Sequence, residues 1–126
     1  MQSLEFHLPH SPDSSATARR ILEEQVDWAA DERPRDDVML LTSELVANAV
    51  RHGVPLPDGT IGLLLCISDE AVRVAVADGG KHLEPDGLAF ETESDGHFGM
   101  FLMDQGSDGW GFSLDGVKAV WFEVRR

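Results

Sequence analysis

Hydrophobic Leu4, Phe6 and Leu8 alternate with polar Glu5 and His7, the period of two that marks a half-buried strand. Pro9 follows and assigns that strand to a sheet edge, because proline has no amide proton for a neighbouring strand. The period then lengthens. Ala18, Ile21, Leu22, Trp28 and Ala29 recur with helical spacing behind Ser11 and Pro12, an N-cap residue followed by proline, which predicts a first helix from about Pro12 to Ala30. A charged link, DERPRDD, leads into DDVMLLTSELVANAVRHG, a second helix closed by Gly53. Pro34 is tolerated in a first helical turn, and Asp36 and Asp37 suit its positive dipole end. VPLPDG is turn chemistry, and Thr60 to Ser68 and Ala71 to Ala77 read as two strands with Asp69 and Glu70 at the bend. Val72, Val74 and Val76 put one apolar face on the second of these. The stretch GGKHLEPDGLAFETESDGH has little periodicity, and loops of that length in compact domains are usually functional lids or disordered. FGMFLMDQ predicts a short third helix; GWGFSL and KAVWFEV predict a closing hairpin with Asp115-Gly116 at its turn. The order β-α-α-β-β-α-β-β with mostly antiparallel strands implies one α+β domain over residues 1–126, a two-layer sandwich with its helices on one face of the sheet.

One helix breaks the simple division between inside and outside. At about 100° per residue, Glu44, Asn48, Arg51 and His52 share a stripe of the second helix, while Val38, Met39, Leu45, Val46, Ala47, Ala49 and Val50 cover its flanks and back. A helix apolar over so much of its circumference is expected to be buried. Its polar stripe then needs other protein groups or a polar ligand, since an unpaired buried amide costs roughly 2–7 kcal/mol.

Composition narrows the partners. With a formal charge of −13, the field of the whole protein opposes nonspecific binding to nucleic acids and anionic membranes. A polyanionic small ligand would need local cations or a metal. The single cysteine, Cys66, cannot close an internal disulfide, and the start MQSLEFHLPHSP has no signal-peptide pattern, so the expected location is the cytoplasm. No apolar run approaches the roughly 20 residues of a membrane span.

The stripe itself carries candidate chemistry, and two further features could line a site around it. Glu44 and Asn48, four residues apart, stand one turn apart on the same face. A carboxylate there can take a proton from a hydroxyl, and an amide oxygen can ligate a hard cation such as Mg²⁺. Arg51 and His52 could meet phosphate oxygens. Asp78 ends an apolar strand before Gly79 and Gly80, where a fixed acceptor would take the exocyclic amine of adenine and repel the carbonyl of guanine. Gly96 and Gly99 flank His97 and Phe98 at the third helix start, where backbone amides favour phosphate and Lys81, His82 and His97 could add charge. Each feature also has an ordinary reading: a solvated polar face, a D-G turn, a helix beginning after a loop. The five histidines lack zinc-site spacing. Cys66 reads as a small buried hydrophobe, and Trp28, Trp110, Trp121, Phe101 and Phe122 as core or partner-surface residues.

The order of these features is more specific than any one of them. TSELVANAVRHG resembles the N box of the GHKL ATPase superfamily, VAVADGG its first glycine box, and GHFGMFLMDQGSD its second. The likeness is greatest to the bacterial anti-sigma-factor serine kinases and their actinobacterial relatives, and it covers nearly the whole chain. It implies the Bergerat ATP-binding sandwich. It also implies a regulatory serine/threonine protein kinase that uses ATP and Mg²⁺, phosphorylates a small antagonist protein, and holds a sigma factor in a partner switch. Carried over by residue, Glu44 would be the general base and Asn48 the magnesium ligand. Arg51 and His52 would neighbour the phosphates, Asp78 and Gly80 would contact adenine, and Gly96, His97 and Gly99 would lie along the phosphates. A homodimer is a further implication. The chain departs from the family pattern at His82 and His97, where glycine is usual, and at Ala119, where threonine is common and would place a hydroxyl near adenine. Those departures keep open an alternative, a pseudo-kinase binding module that holds partners without turnover. A detached histidine-kinase ATPase domain ranks below both, because no phosphoacceptor helix precedes the N box.

Overall fold

The computed structural model describes residues 1–28, 32–80, 102–113 and 118–126. Five strands and two long helices follow one another as β1 (Gln2–Pro9), α1 (Ser14–Gln25), α2 (Glu32–His52), β2 (Thr60–Ile67), β3 (Ala71–Asp78), β4 (Gly109–Ser113) and β5 (Lys118–Arg125). Residues 102–106 are helical as well, the end of the expected third helix. Its start, the long glycine-rich loop and the Asp115-Gly116 turn lie outside the described residues.

The strands form one antiparallel sheet in the order β1-β2-β3-β5-β4. The edge position expected for β1 from Pro9 is observed. Side chains of one parity make rows across the sheet: Leu4, Leu65, Val74, Phe122 and Trp110 in one, and Phe6, Leu63, Val76, Val120 and Phe112 in the next. Leu63, Leu65, Val74 and Phe122 are fully buried, with Trp110, Phe112 and Val120 partly so. Cross-strand apolar pairs are what hold such a sheet together, and each large buried side chain adds about 1.5–3 kcal/mol. Both helices cover this face, α2 over β3 and β5 and α1 over β1. The expected α+β sandwich is therefore the observed fold.

Buried Ala18 and Leu22, with Ser14, follow a four-residue spacing along α1. The helix is shorter than its apolar periodicity predicts. Ser11 accepts a hydrogen bond from the Asp13 amide at 3.3 Å and so shapes a turn before the helix. At the other end, extended Val26 stops the helix, yet Val26 and Trp28 remain buried. Trp28 folds back so that its indole N–H donates to the Leu22 carbonyl at 3.2 Å, sharing it with the Val26 amide, which donates at 3.1 Å. The core therefore retains the apolar spacing after the backbone has left the helix. α2, by contrast, begins before Asp36, with Pro34 in its first turn where the missing amide costs nothing.

The opposite face of the sheet carries Gly62, Leu64, Cys66, Ala75, Ala77, Ala119 and Trp121. Cys66 is half-buried there, 3.7 Å from the Ser3 hydroxyl, so the expectation of a core thiol is corrected. Arg73 lies over Trp121, 4.4 Å from the ring centroid, a cation–π contact that covers part of the indole. A groove of about 670 Å³ runs along this face. At its rim the Thr60 hydroxyl, and then its amide, bond to Asp58 and hold that carboxyl below its ordinary pKa of 3.8.

Phe122 anchors the central row, so Phe122→Ala is expected to lower stability by about 3–5 kcal/mol in urea unfolding. Leu64→Ala, on the outer face and 36% exposed, should cost less than about 1.5 kcal/mol. Similar losses at the two positions would refute this assignment of faces.

Candidate functional site

The site is built where the end of α2 meets the end of β3. α2 presents Glu44 and Asn48 on successive turns; Asn48 is 5% exposed and Glu44 half-buried. After His52 the helical bonding continues for one residue, with the Gly53 amide donating to the Ala49 carbonyl at 3.0 Å. The chain then passes directly against the strand end: the Gly79 amide donates to the Val54 carbonyl at 2.6 Å. Both glycines are required by space. A β-carbon at Gly53 would stand 2.5 Å from the Asp78 Oδ2 and 2.6 Å from the Ala49 oxygen, and one at Gly79 would stand 2.2 Å from the Pro55 oxygen. The DGG motif thus lets protein backbone close on protein backbone.

That junction fixes Asp78, which is 6% exposed. Asp78 shares the parity of Val74 and Val76, so its carboxylate belongs to the helix-facing layer. Its Oδ1 accepts the Gly80 amide at 2.7 Å. Opposite Asp78 in the register is Lys118, with its ammonium 3.5 Å from Oδ2 and its side chain only 13% exposed. Sequence reasoning missed Lys118. Ala119, the position where threonine is common in the family, pairs with Ala77 and lines the groove on the outer face.

Asn48 carries the clearest unmet requirement. Its Oδ1 accepts a hydrogen bond from Arg51 Nη2 at 3.2 Å, while its Nδ2 is buried with no partner among the described residues. Glu44 makes no hydrogen bond or ion pair with a described residue, so its carboxylate can accept a proton. Arg51 and His52 are exposed at the C-terminal end of α2, where a cation also compensates the helix dipole. Arg51 is thus tied to Asn48 as well as placed toward solvent. Gly80 is described beside Asp78; Gly96, His97 and Gly99, with His82 and Lys81, lie outside the described residues. The buried Thr42 hydroxyl, also without a partner among the described residues, was not anticipated, since a threonine within a helix carries no signal of its own.

Among the described residues no cluster of three or more His, Cys, Asp or Glu could hold a metal by itself. The Asn48 carbonyl oxygen retains a second lone pair beyond Arg51, one hard oxygen donor. That fits a cation that keeps several waters and takes its other ligands from substrate phosphates, as Mg²⁺ does. It does not fit a cage built by protein alone.

The sequence profile of the histidine kinase-like ATPase domain matches residues 8–116, a span that includes α2, β3 and their junction. The chain belongs to the histidine kinase-like ATPase family. The GHKL resemblance read from the N box and glycine boxes is borne out, and the family is one of ATP-binding domains. No curated protein matches the sequence. Among solved structures, the RsbU and RsbW domains of Rv1364c from Mycobacterium tuberculosis match with a TM-score of 0.69 and 22% identity. The match covers 99% of this chain and 32% of that one, so the chain spans about a third of the length of that relative. At this identity the likeness establishes the ATPase-domain fold. No described helix of this domain is long and apolar enough to cross a membrane.

Two substitutions test the geometry of the ATPase site. Gly79→Ala forces a methyl onto the Pro55 carbonyl and should lower stability by about 1–3 kcal/mol, read as a shifted urea midpoint, together with weaker nucleotide binding. Ala119→Thr should change ATP affinity by less than about twofold, because a net hydrogen bond of about 1 kcal/mol cannot be formed from the other face of the sheet. A markedly tighter complex in calorimetry would return residue 119 to the nucleotide side.

Proposed function

We propose that this chain is an ATP- and Mg²⁺-binding regulatory serine/threonine protein kinase that acts as an anti-sigma factor, phosphorylating a small antagonist protein in a partner switch. The observation that carries the reading is the buried Asn48 amide, whose nitrogen has no partner among the described residues, one turn from Glu44 on a helix whose end packs against the Asp78-Gly79 strand end. Membership of an ATPase family and the resemblance of TSELVANAVRHG to the N box of anti-sigma-factor kinases support it.

In this proposal Asp78 accepts the exocyclic amine of the base, and the Gly80 amide bonded to it holds the carboxylate in place. Asn48 holds Mg²⁺ through its side-chain oxygen, while Arg51 keeps the amide turned with that oxygen accepting. The metal ion, when bound, neutralises charge on the phosphate oxygens. Arg51 and His52, with Gly96, His97 and Gly99 of the lid, would lie along the phosphates. Glu44 accepts the proton of the attacking serine or threonine hydroxyl, at a position where burial excludes part of the competing water. Positioning and charge neutralisation account for most of phosphoryl transfer, so this small set of groups is sufficient. The charge of −13 would attract a basic, DNA-binding partner such as a sigma factor. A cytoplasmic location and a homodimeric state belong to the same proposal.

Calorimetric titration with ATP, with and without Mg²⁺, tests it. Asn48→Ala should weaken Mg-ATP binding about tenfold or more, from loss of a charge-assisted contact of about 1.5–3 kcal/mol, with little effect on metal-free ATP. Glu44→Ala should retain binding but lose a factor of roughly 10²–10⁴ in transfer to the antagonist. No binding by the wild type at millimolar ATP would overturn the reading. Binding by the wild type without any transfer would favour a module that sequesters its partner without turnover.

A further inference from the structure

A carboxylate alone at the base-binding end of the sheet would select adenine. It accepts from the exocyclic amine of adenine and repels the carbonyl oxygen that guanine has in the same place. Asp78 is not alone. Lys118 stands opposite it in the register of β3 and β5, on the helix-facing side, with Nζ 3.5 Å from Oδ2. Both side chains are largely removed from solvent, and a charged donor in such surroundings interacts more strongly than in water.

Two details indicate that this ammonium has bonding capacity left over. The separation of 3.5 Å exceeds the roughly 2.7–2.9 Å of a charge-assisted hydrogen bond, and Lys118 makes no hydrogen bond with a described residue. An ammonium has three donors. The lysine stem also runs over Gly80: a β-carbon there would stand 2.9 Å from Lys118 Cδ and 3.4 Å from Nζ. The second glycine of the motif thus makes room for Lys118 to reach the carboxylate.

We infer that Lys118 is a nucleobase-recognising residue, and that with Asp78 it forms a donor–acceptor pair that admits guanine as well as adenine nucleotides. The inference rests on the nucleotide-binding reading above and extends it to the choice of base. With adenine, Asp78 accepts the exocyclic amine and Lys118 donates to the neighbouring ring nitrogen. With guanine, Lys118 donates to the carbonyl oxygen and Asp78 accepts from the adjacent ring N–H. Each base presents a donor beside an acceptor; with Asp78 held by the Gly80 amide, guanine meets the pair shifted by one ring position and the flexible lysine stem follows it. At the edge where the two bases differ at position 6, the pair then meets each of them without a repulsive contact to reject either.

Calorimetry of the full chain with Mg-ATP and Mg-GTP decides the matter, using wild type, Lys118→Met and Lys118→Arg. The wild type should bind GTP within about tenfold of ATP. Lys118→Met should weaken GTP roughly tenfold or more beyond any change in ATP, because the guanine carbonyl is then left facing the Asp78 carboxylate with no donor while adenine keeps its bond to Asp78, and Lys118→Arg should retain GTP. A wild type that binds ATP but rejects GTP overturns the inference and leaves the ATP reading intact. So does a Lys118→Met variant that changes both nucleotides equally, since lysine would then only neutralise Asp78. If neither nucleotide binds the wild type, both readings fall together. Should Lys118→Met not fold, the wild-type ratio of the two affinities still decides.

Discussion

The close approach of the α2 end to the β3 end is the constraint on which the site depends. Two backbone segments meet with no room for a β-carbon at Gly53 or Gly79, and a short amide-to-carbonyl bond joins Gly79 to Val54. Without that contact, the Asn48 amide and the Asp78 carboxylate would belong to separate surfaces of a helix and a sheet. With it the last turns of α2, which carry Asn48, stand against the strand end that carries Asp78. The apolar rows beneath supply the force, because α2 can bury Val38, Leu41, Leu45 and Val46 on the sheet only if its far end lies close to β3. Packing sets the distance, and the glycines permit it.

Polar groups at the end of an apolar layer follow from the same geometry. Val74, Val76 and Asp78 share one parity on β3, as do Phe122, Val120 and Lys118 on β5. The two rows of the core therefore terminate in a carboxylate facing an ammonium. A buried pair of this kind adds little net stability against a hydrophobic pair of similar size, since desolvation offsets much of the Coulomb attraction. Like Asn48 Nδ2, which is buried without a partner among the described residues, the pair is a polar feature that core packing alone does not call for.

Much of this was legible in the sequence, for definite reasons. The alternation through Val72, Val74 and Val76 set a face of β3, Pro9 marked an edge, and the apolar flanks of α2 marked it as a helix buried on the sheet. Other features were hidden. Val26 and Trp28 prolonged the helical spacing of α1 after its backbone had turned away, because the core requires their side chains whatever the local conformation. The run TIGLLLCIS is apolar on both faces, so nothing distinguished outward-facing Leu64 and Cys66 from inward-facing Leu63 and Leu65. Lys118 was invisible for a third reason. Its neighbour Asp78 lies far away in sequence, and cross-strand register over such a separation leaves no local pattern.

That separation also bears on how the site is made ready. β2 and β3 are joined by a tight turn, in which the Ser68 amide donates to the Ala71 carbonyl at 2.9 Å, and they can pair early at small entropic cost. β3 and β5 can pair only after a long connection has been closed, and such closures are slow. The alignment of Asp78 with Lys118 is thus completed late in folding, as part of the cooperative formation of the sheet. A ligand arriving afterwards meets an edge whose ordering entropy has already been offset by the burial of Val74, Phe122 and their neighbours, and its own interactions are left to determine affinity.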